Sequence, residues 1–298
     1  MVKKNHKEDQ EKHKARMELQ QIAITERLQH INNKIIVLSG KGGVGKSSVA
    51  TYLSVVLARK GCRVGLMDVD LHGPSIPRML NLQGHVHKGT HEGKMSPLNY
   101  LPNMEVISIE ILMRDKDSAT IWRGPLKGHV IRQFIADVEW GDLDYLIIDS
   151  PPGTGDEPLT VAQTISDAKA LIVTTPQEIS LADVRKCINF CHKMNMEILG
   201  LVENMSGIKC PYCGNIIDLF KTQGGIMTAQ REKLKLLATL PFEPELVKKG
   251  DEGDTSLLDN DELPITREFN KMVDEIVRLT KVKNEFGDCN EKRISQAG

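Results

Sequence analysis

Ile35-Ile36-Val37-Leu38-Ser39-Gly40-Lys41-Gly42-Gly43-Val44-Gly45-Lys46-Ser47-Ser48 is the stretch that decides the fold. Its first five residues form an apolar run suited to a strand buried on both faces, and a helical pattern follows over Ser48–Lys60. Between them, Gly40 to Ser47 matches G-x-x-x-x-G-K-[ST] in the strand–loop–helix setting of a phosphate-binding loop. Glycine lets the backbone turn tightly enough for successive N–H groups to converge on phosphate oxygens, and the following helix adds its positive end. Lys46 is then placed to reach the β- and γ-phosphates, and the Ser47 hydroxyl to bind Mg²⁺. Residues Gly40, Lys41, Gly42, Gly43, Val44, Gly45, Lys46, Ser47 and Ser48 are the expected nucleotide contacts.

Outward from this loop, short apolar runs alternate with longer helical patterns. The runs are Ile35–Ser39, Arg63–Asp68, Met104–Glu110, Leu143–Asp149, Lys169–Thr175, Glu197–Asn204 and Leu236–Phe242. The helical candidates include Ser48–Lys60, Leu126–Asp137, Ser180–Met194, Gly225–Lys235 and a last one over Ile265–Phe286. This alternation predicts an α/β fold with a doubly wound, mostly parallel sheet in a single domain. The expected layout is a polar N-terminal extension over 1–33, an ATPase domain over 34–286 and a polar tail over 287–298. Leu82–Leu101 reads as a surface loop or hairpin whose His85, His87 and His91 are solvated.

Carboxylates stand where such a sheet presents its ligand crevice, at the C-terminal ends of strands. Asp149 closes Tyr145-Leu146-Ile147-Ile148-Asp149 and reads as the second Mg²⁺ group beside Ser47. Asp68 and Asp70 close the second run. Asp70 is the candidate for orienting the attacking water, and Asp68 its neighbour or a group that holds Mg²⁺ through water. Gly153, in Ser150-Pro151-Pro152-Gly153-Thr154-Gly155, is placed to offer its N–H to the γ-phosphate, which makes that loop a sensor of hydrolysis.

The chain has 298 residues, with 39 Lys and Arg against 40 Asp and Glu and a formal charge of −1. That balance gives no bulk electrostatic case for a nucleic-acid binder. No apolar run approaches the ~20 residues that span a bilayer, and the charged start has no secretory apolar core. Six cysteines in such a chain point to a reducing cytosol and free thiols.

Cys210-Pro211-Tyr212-Cys213-Gly214 is a knuckle that holds two thiolates at a tight turn. Zinc, thiol redox chemistry and iron–sulfur ligation all use such pairs. A structural zinc or a [4Fe–4S] cluster takes four donors. Cys187 and Cys191, one helical turn apart, are candidates to complete a site, but their neighbours Ile188 and Phe190 mark a core helix. Cys62 and Cys289 stand alone. The remaining solution is a two-fold axis that brings Cys210 and Cys213 of two chains together.

Lys41 departs from an ordinary phosphate loop. KGGVGKS resembles the deviant Walker A of the MinD/ParA and nitrogenase iron-protein superfamily, whose extra lysine contacts phosphate across a dimer holding two ATPs. Carried over, Lys41 acts in trans to stabilise charge on the transferred phosphoryl group. Over roughly Asn33 to Leu258 the chain resembles the Mrp family (ApbC-like, Nbp-type) of iron–sulfur cluster carrier ATPases. The matching stretches are SGKGGVGKSSVA, MDVDLHGPSIP, IWRGPLKG, VEWGDLDYLIIDSPPGTGDEPLT, TTPQEISLADV, VENMSGIKCPYCG and LPFEPELVKKGDEG. The resemblance implies a labile cluster on Cys210 and Cys213 at a homodimer interface, received from a cluster donor and passed to apo iron–sulfur proteins. It also implies that Asn204 reads the adenine edge. One departure is the lack of any Cys before Cys62, so the N-terminal four-cysteine cluster of some eukaryotic members is not expected.

Three other classes fit parts of the chain. A MinD/ParA-type positioning ATPase acts by binding membrane or DNA and leaves CPYCG unexplained. A nucleotide-switched binding module with a structural zinc knuckle, or an ATPase that matures another enzyme metal such as nickel, keeps CPYCG but changes the cargo.

Overall fold

The computed structural model describes residues 18–70, 73–82, 87–88, 94–112, 124–210, 212–218 and 224–280. The strands are β1 (Ile31–Ser39), β2 (Val64–Asp68), β3 (His87–Lys88), β4 (Met95–Ser96), β5 (Leu98–Leu101) and β6 (Met104–Ser108). They continue with β7 (Leu143–Asp149), β8 (Lys169–Thr174), β9 (Ile198–Glu203), β10 (Ile208–Lys209), β11 (Ile216–Ile217) and β12 (Leu236–Thr239). The helices are α1 (residues 18–29), α2 (Lys46–Arg59), α3 (Ile76–Met79), α4 (Ile109–Leu112) and α5 (Gly124–Asp137). After them come α6 (Asp156–Thr164), α7 (Glu178–Lys193), α8 (Gly224–Arg231), α9 (Pro244–Asp251) and α10 (Pro264–Thr280).

Eight strands form one sheet in the order β12-β9-β8-β1-β7-β2-β6-β5. All neighbours are parallel except β5, which runs antiparallel to β6 at the edge. The expected doubly wound α/β architecture is therefore present. Each central strand is apolar on both faces because helices cover both. On one side, Leu53 of α2 and Phe269, Met272, Val273 and Ile276 of α10 join a single core with Ile35, Val37 and Ile147. On the other, Phe134 of α5 and Ile188 of α7 pack with Ile36, Leu38 and Ile148. Ile24 of α1 belongs to this second core, so the N-terminal extension ends in a packed helix.

The parallel register sets Asp68 opposite Asp149, and Asp149 opposite Val37. The two carboxylates thus meet at the same end of the sheet as the loop that follows β1, where the winding reverses. Several boundaries differ from expectation. β1 begins at Ile31, α2 begins at Lys46, and Met104–Glu110 divides into β6 and the short α4. The Leu82–Leu101 stretch contains the β3–β4 pair and the sheet strand β5. His85 and His91 lie outside the described residues, as do Cys289 and positions 281–286 of the expected last helix.

Candidate functional site

The loop between β1 and α2 owes its path to two glycines, Gly43 at φ 75° and Gly45 at φ 80°. In that left-handed region a Cβ is costly. Gly45 is also crowded: a Cβ there would stand 2.2 Å from Asn204 Nδ2. Asn204 earns this proximity by donating Nδ2 to the Val44 carbonyl at 2.9 Å. Gly40 packs on the other flank, where a Cβ would meet the Asp183 backbone of α7 at 2.4 Å.

Lys46, in the first turn of α2, is buried and ion-paired with Asp149, itself buried at the end of β7. Its ammonium also lies 3.4 Å from Ser47 Oγ. Burial pushes the Asp149 carboxyl above its ordinary value, while Lys46 and Ser47 pull it back. Asp149 Oδ2 is buried with no well-formed hydrogen bond among the described residues. Asp68 accepts the Ser108 hydroxyl at 2.9 Å and the Asp70 N–H at 3.1 Å. Burial first, and the adjacent Asp149 second, push the Asp68 carboxyl up to about 8. Asp70 accepts the Gly73 N–H at 3.2 Å, so a turn holds it over the loop.

Lys41 donates to Gln177 Oε1 at 2.6 Å, a partner within its own chain. The Gly153 N–H, expected to face a γ-phosphate, is donated to the Ser39 carbonyl at 2.8 Å. To reach phosphate, that loop has to give up this bond.

A cavity of about 290 Å³ lies over the loop, lined by Lys41 to Ser48 together with Asp70, Gly73 and Pro152. A second, of about 280 Å³, is lined by Asn204, Met205, Pro241, Phe242, Tyr52 and Phe269 among others. The two share Gly45, Ser48 and Ser75. One chamber is rich in backbone N–H groups and charge, the other in apolar and aromatic surface, which is the division a nucleotide itself has.

The cysteine pair sits on a separate projection, the β10–β11 hairpin. Cys210 N–H donates to the Asn215 carbonyl at 2.8 Å and Gly214 N–H to the Cys210 carbonyl at 2.9 Å, with Gly214 at φ 74°. The N–H groups of Cys213 and Tyr212 point at the Cys210 sulfur and hold its thiol below the usual value. Cys213 is exposed, Tyr212 is 97% exposed, and Ile216 and Ile217 are exposed beside it. Among the described residues no cluster of three or more His, Cys, Asp or Glu is placed to hold a metal ion. Cys187 and Cys191 lie buried in the core against the sheet, with burial pushing both thiols up to about 12. They do not join the knuckle.

Three residues of this region carry no motif signal of their own: Ser108, which holds Asp68; Gln177, which holds Lys41; and Glu203, which precedes Asn204. Gln177 and Glu203 fall inside stretches that resemble the carrier family, TTPQE and VENMS, and that is the signal that could have marked them.

Over 223 residues the chain is 47% identical to the cytosolic Fe-S cluster assembly factor NUBP2 homolog of Dictyostelium discoideum, covering 74% of this chain and 84% of that protein. It is 44% identical over 251 residues to the cytosolic Fe-S cluster assembly factor CFD1 of Kluyveromyces lactis, covering 81% and 89%. Among solved structures, a nucleotide-binding protein of Archaeoglobus fulgidus in complex with ADP matches with a TM-score of 0.71 and 38% identity, covering 84% of this chain and 96% of that one. The cell division ATPase MinD of Pyrococcus furiosus shares the fold, with a TM-score of 0.62 at 24% identity, covering 83% of this chain and 99% of that one. The family model described as NUBPL iron-transfer P-loop NTPase, of the ParA group, matches residues 30–277, and the chain belongs to that family.

Proposed function

We propose that the chain is an ATP-dependent carrier that binds a labile iron–sulfur cluster on Cys210 and Cys213 and hands it to apoproteins. The observation that carries this reading is a nucleotide cleft and an exposed pair of thiols on one chain, the pair lacking two of the donors a cluster takes. A second copy related by a two-fold axis supplies them, and a [4Fe–4S] cargo then bridges two subunits. The exposed Tyr212, Ile216 and Ile217 around the thiols suit burial in such a homodimer. A positioning ATPase would leave these features without a task. The relatives are named as cytosolic, and we infer the same compartment here. No helix among the described residues is long and apolar enough to cross a membrane.

ATP enters with its phosphates over the Gly40–Ser47 loop and its base in the chamber beside Asn204. That side chain already gives one N–H to Val44, so its carbonyl oxygen and second N–H remain for the adenine edge. Lys46 leaves Asp149 to meet the β- and γ-phosphates. Mg²⁺ fits the oxygen donors left at this point, the Ser47 hydroxyl and the Asp149 carboxylate with its unpartnered Oδ2. When bound, that ion neutralises charge on the transferred phosphoryl group. Asp70, with Asp68 beside it, orients the attacking water. Lys41 moves from Gln177 to the nucleotide of the facing subunit, and the Gly153 loop exchanges its bond to Ser39 for the γ-phosphate. Closing and reopening of the dimer changes the separation of the two knuckles and their grip on the cargo.

Anaerobic reconstitution with iron and sulfide tests this reading. The wild type should gain a brown chromophore with iron and sulfide counted per dimer, and Cys210→Ser should lose it while still binding ATP. Lys46→Ala should lose nucleotide binding. Retention of the chromophore by a Cys210/Cys213 double variant refutes the ligand assignment.

A further inference from the structure

Glu203 is a buried carboxylate, 1% exposed, outside the phosphate chamber. Polar oxygens in such a place are tolerated only when donors meet them. Two do. Ser206 Oγ donates to Oε1 at 2.8 Å, and the Gly225 N–H, in the first turn of α8, donates to Oε2. The site has no room to spare, since a Cβ on Gly225 would fall 2.6 Å from Oε2.

Each donor belongs to a different functional arm. The preceding residue of α8, Gly224, lies against the loop that carries Gln177: a Cβ there would stand 2.4 Å from the Pro176 carbonyl oxygen. Gln177 in turn holds the Lys41 ammonium at 2.6 Å. Ser206 belongs to the stem of the cysteine hairpin, four residues before Cys210 in the chain. In that stem Met205 and Gly207 lie in the left-handed region, at φ 60° and 82°. It is also stitched to the base chamber. Phe242 lines that chamber, donates its N–H to the Gly207 carbonyl at 2.8 Å and pairs with Ile208. Adjacent Asn204 donates to Val44 of the phosphate loop.

We propose that Glu203 is a positioning residue that couples the nucleotide cleft to the cysteine knuckle, by joining the helix packed on the Gln177 loop to the stem that carries Cys210. When Lys41 leaves Gln177, the Pro176–Gln177 loop and the start of α8 shift together. Glu203 passes that shift to Ser206 and hence to the knuckle. A contiguous chain of packed and hydrogen-bonded groups is the physical form such coupling takes. The inference deepens the carrier reading and rests on it for the identity of the cargo and for the release of Lys41 from Gln177.

The test reads the thiols in metal-free full-length protein, with no iron present. Iodoacetamide labelling of Cys210 and Cys213, followed by peptide mass spectrometry, is run without nucleotide and with Mg²⁺ and a non-hydrolysable ATP analogue. In the wild type the two rates should differ about fivefold or more, the lower end of ordinary coupling between sites. Glu203→Met keeps about the length of the side chain but has no oxygen to accept from Ser206 or Gly225, so both bonds are lost. The ratio should fall below about twofold while affinity for the analogue stays within about threefold of wild type. A purely structural role would change the rates equally in both states and leave their ratio intact. Ser206→Ala removes one donor without burying a new charge and should give an intermediate ratio. Equal rates in the wild type overturn the proposal. So does a wild-type ratio in Glu203→Met or, if that variant does not fold, in Ser206→Ala. Wild-type protein that takes up no iron and sulfide on reconstitution would sink the carrier reading separately, because the labelling ratio does not depend on it.

Discussion

Gly45→Ala places a single methyl group where the phosphate loop meets the base chamber. Gly45 stands at φ 80°, where an L side chain costs about 1–2 kcal/mol. The new carbon would lie 2.2 Å from Asn204 Nδ2, the far end of a flexible side chain that has to move away. Its bond to the Val44 carbonyl is then lost, for about 1 kcal/mol more. Together these come to about 2–3 kcal/mol. The total divides between two observables. If the loop keeps its shape, the folded state carries the strain and stability falls. If the loop relaxes, stability is spared and ATP has to rebuild the turn, so affinity falls by about 30- to 150-fold when the whole cost lands there. Urea unfolding and calorimetric titration with ATP on the same variant therefore give two losses to be added. Gly141→Ala is the control, since a Cβ there meets nothing within 4 Å, and both quantities should stay within about 0.5 kcal/mol of wild type. A combined loss below about 1 kcal/mol for Gly45→Ala would refute the view that this turn and the Asn204 contact are built for each other.

Gln177→Glu turns the neutral partner of Lys41 into an anion, so the lysine should be released less readily; ATPase turnover should fall several-fold at unchanged ATP affinity, and an undiminished rate would exclude Gln177 as its holder. Cys187 and Cys191, with thiols pushed up to about 12 by burial, should resist alkylation at pH 8 until denaturant is added, whereas Cys210 and Cys213 react in the folded protein. Glu275 accepts Arg278 and Lys235, which hold its carboxyl down at about 2. A depressed carboxyl contributes stability above its unfolded value and loses it as pH falls through the folded one. The melting-temperature gap between wild type and Glu275→Gln should thus be present at pH 6, close towards pH 2, and shrink in high salt.

What the sequence discloses here divides by how local the determining contacts are. The phosphate loop was legible because strand, glycines, lysine and hydroxyl are consecutive, and the carboxylates because parallel strands bring their C-terminal ends to one edge. The extent of β1 was not. Asn33 and Lys34 look like a polar boundary, yet Asn33 Nδ2 donates to the Asp144 carbonyl at 3.1 Å and Lys34 reaches Asp167 at 2.7 Å. Polar strand residues whose partners lie more than a hundred positions away cannot be told from loop residues. α9 did carry a local signal, since Pro244 occupies its first turn and Glu243 accepts the Glu245 N–H at 3.4 Å. The cysteine site shows the opposite case. Counting donors in the sequence already implied an incomplete centre, because ligand number is a property of the metal and not of the fold. The structure adds what counting could not supply: Cys187 and Cys191 face the core, and Glu203 joins Ser206 of the knuckle's stem to Gly225 of α8. Its bond to Gly225 exists only because β9 and α8 are packed together, so the VENMS stretch could mark Glu203 but not this partner. A residue that joins two arms of a mechanism is therefore the kind least visible in sequence, because its chemistry is ordinary and only its neighbours are not.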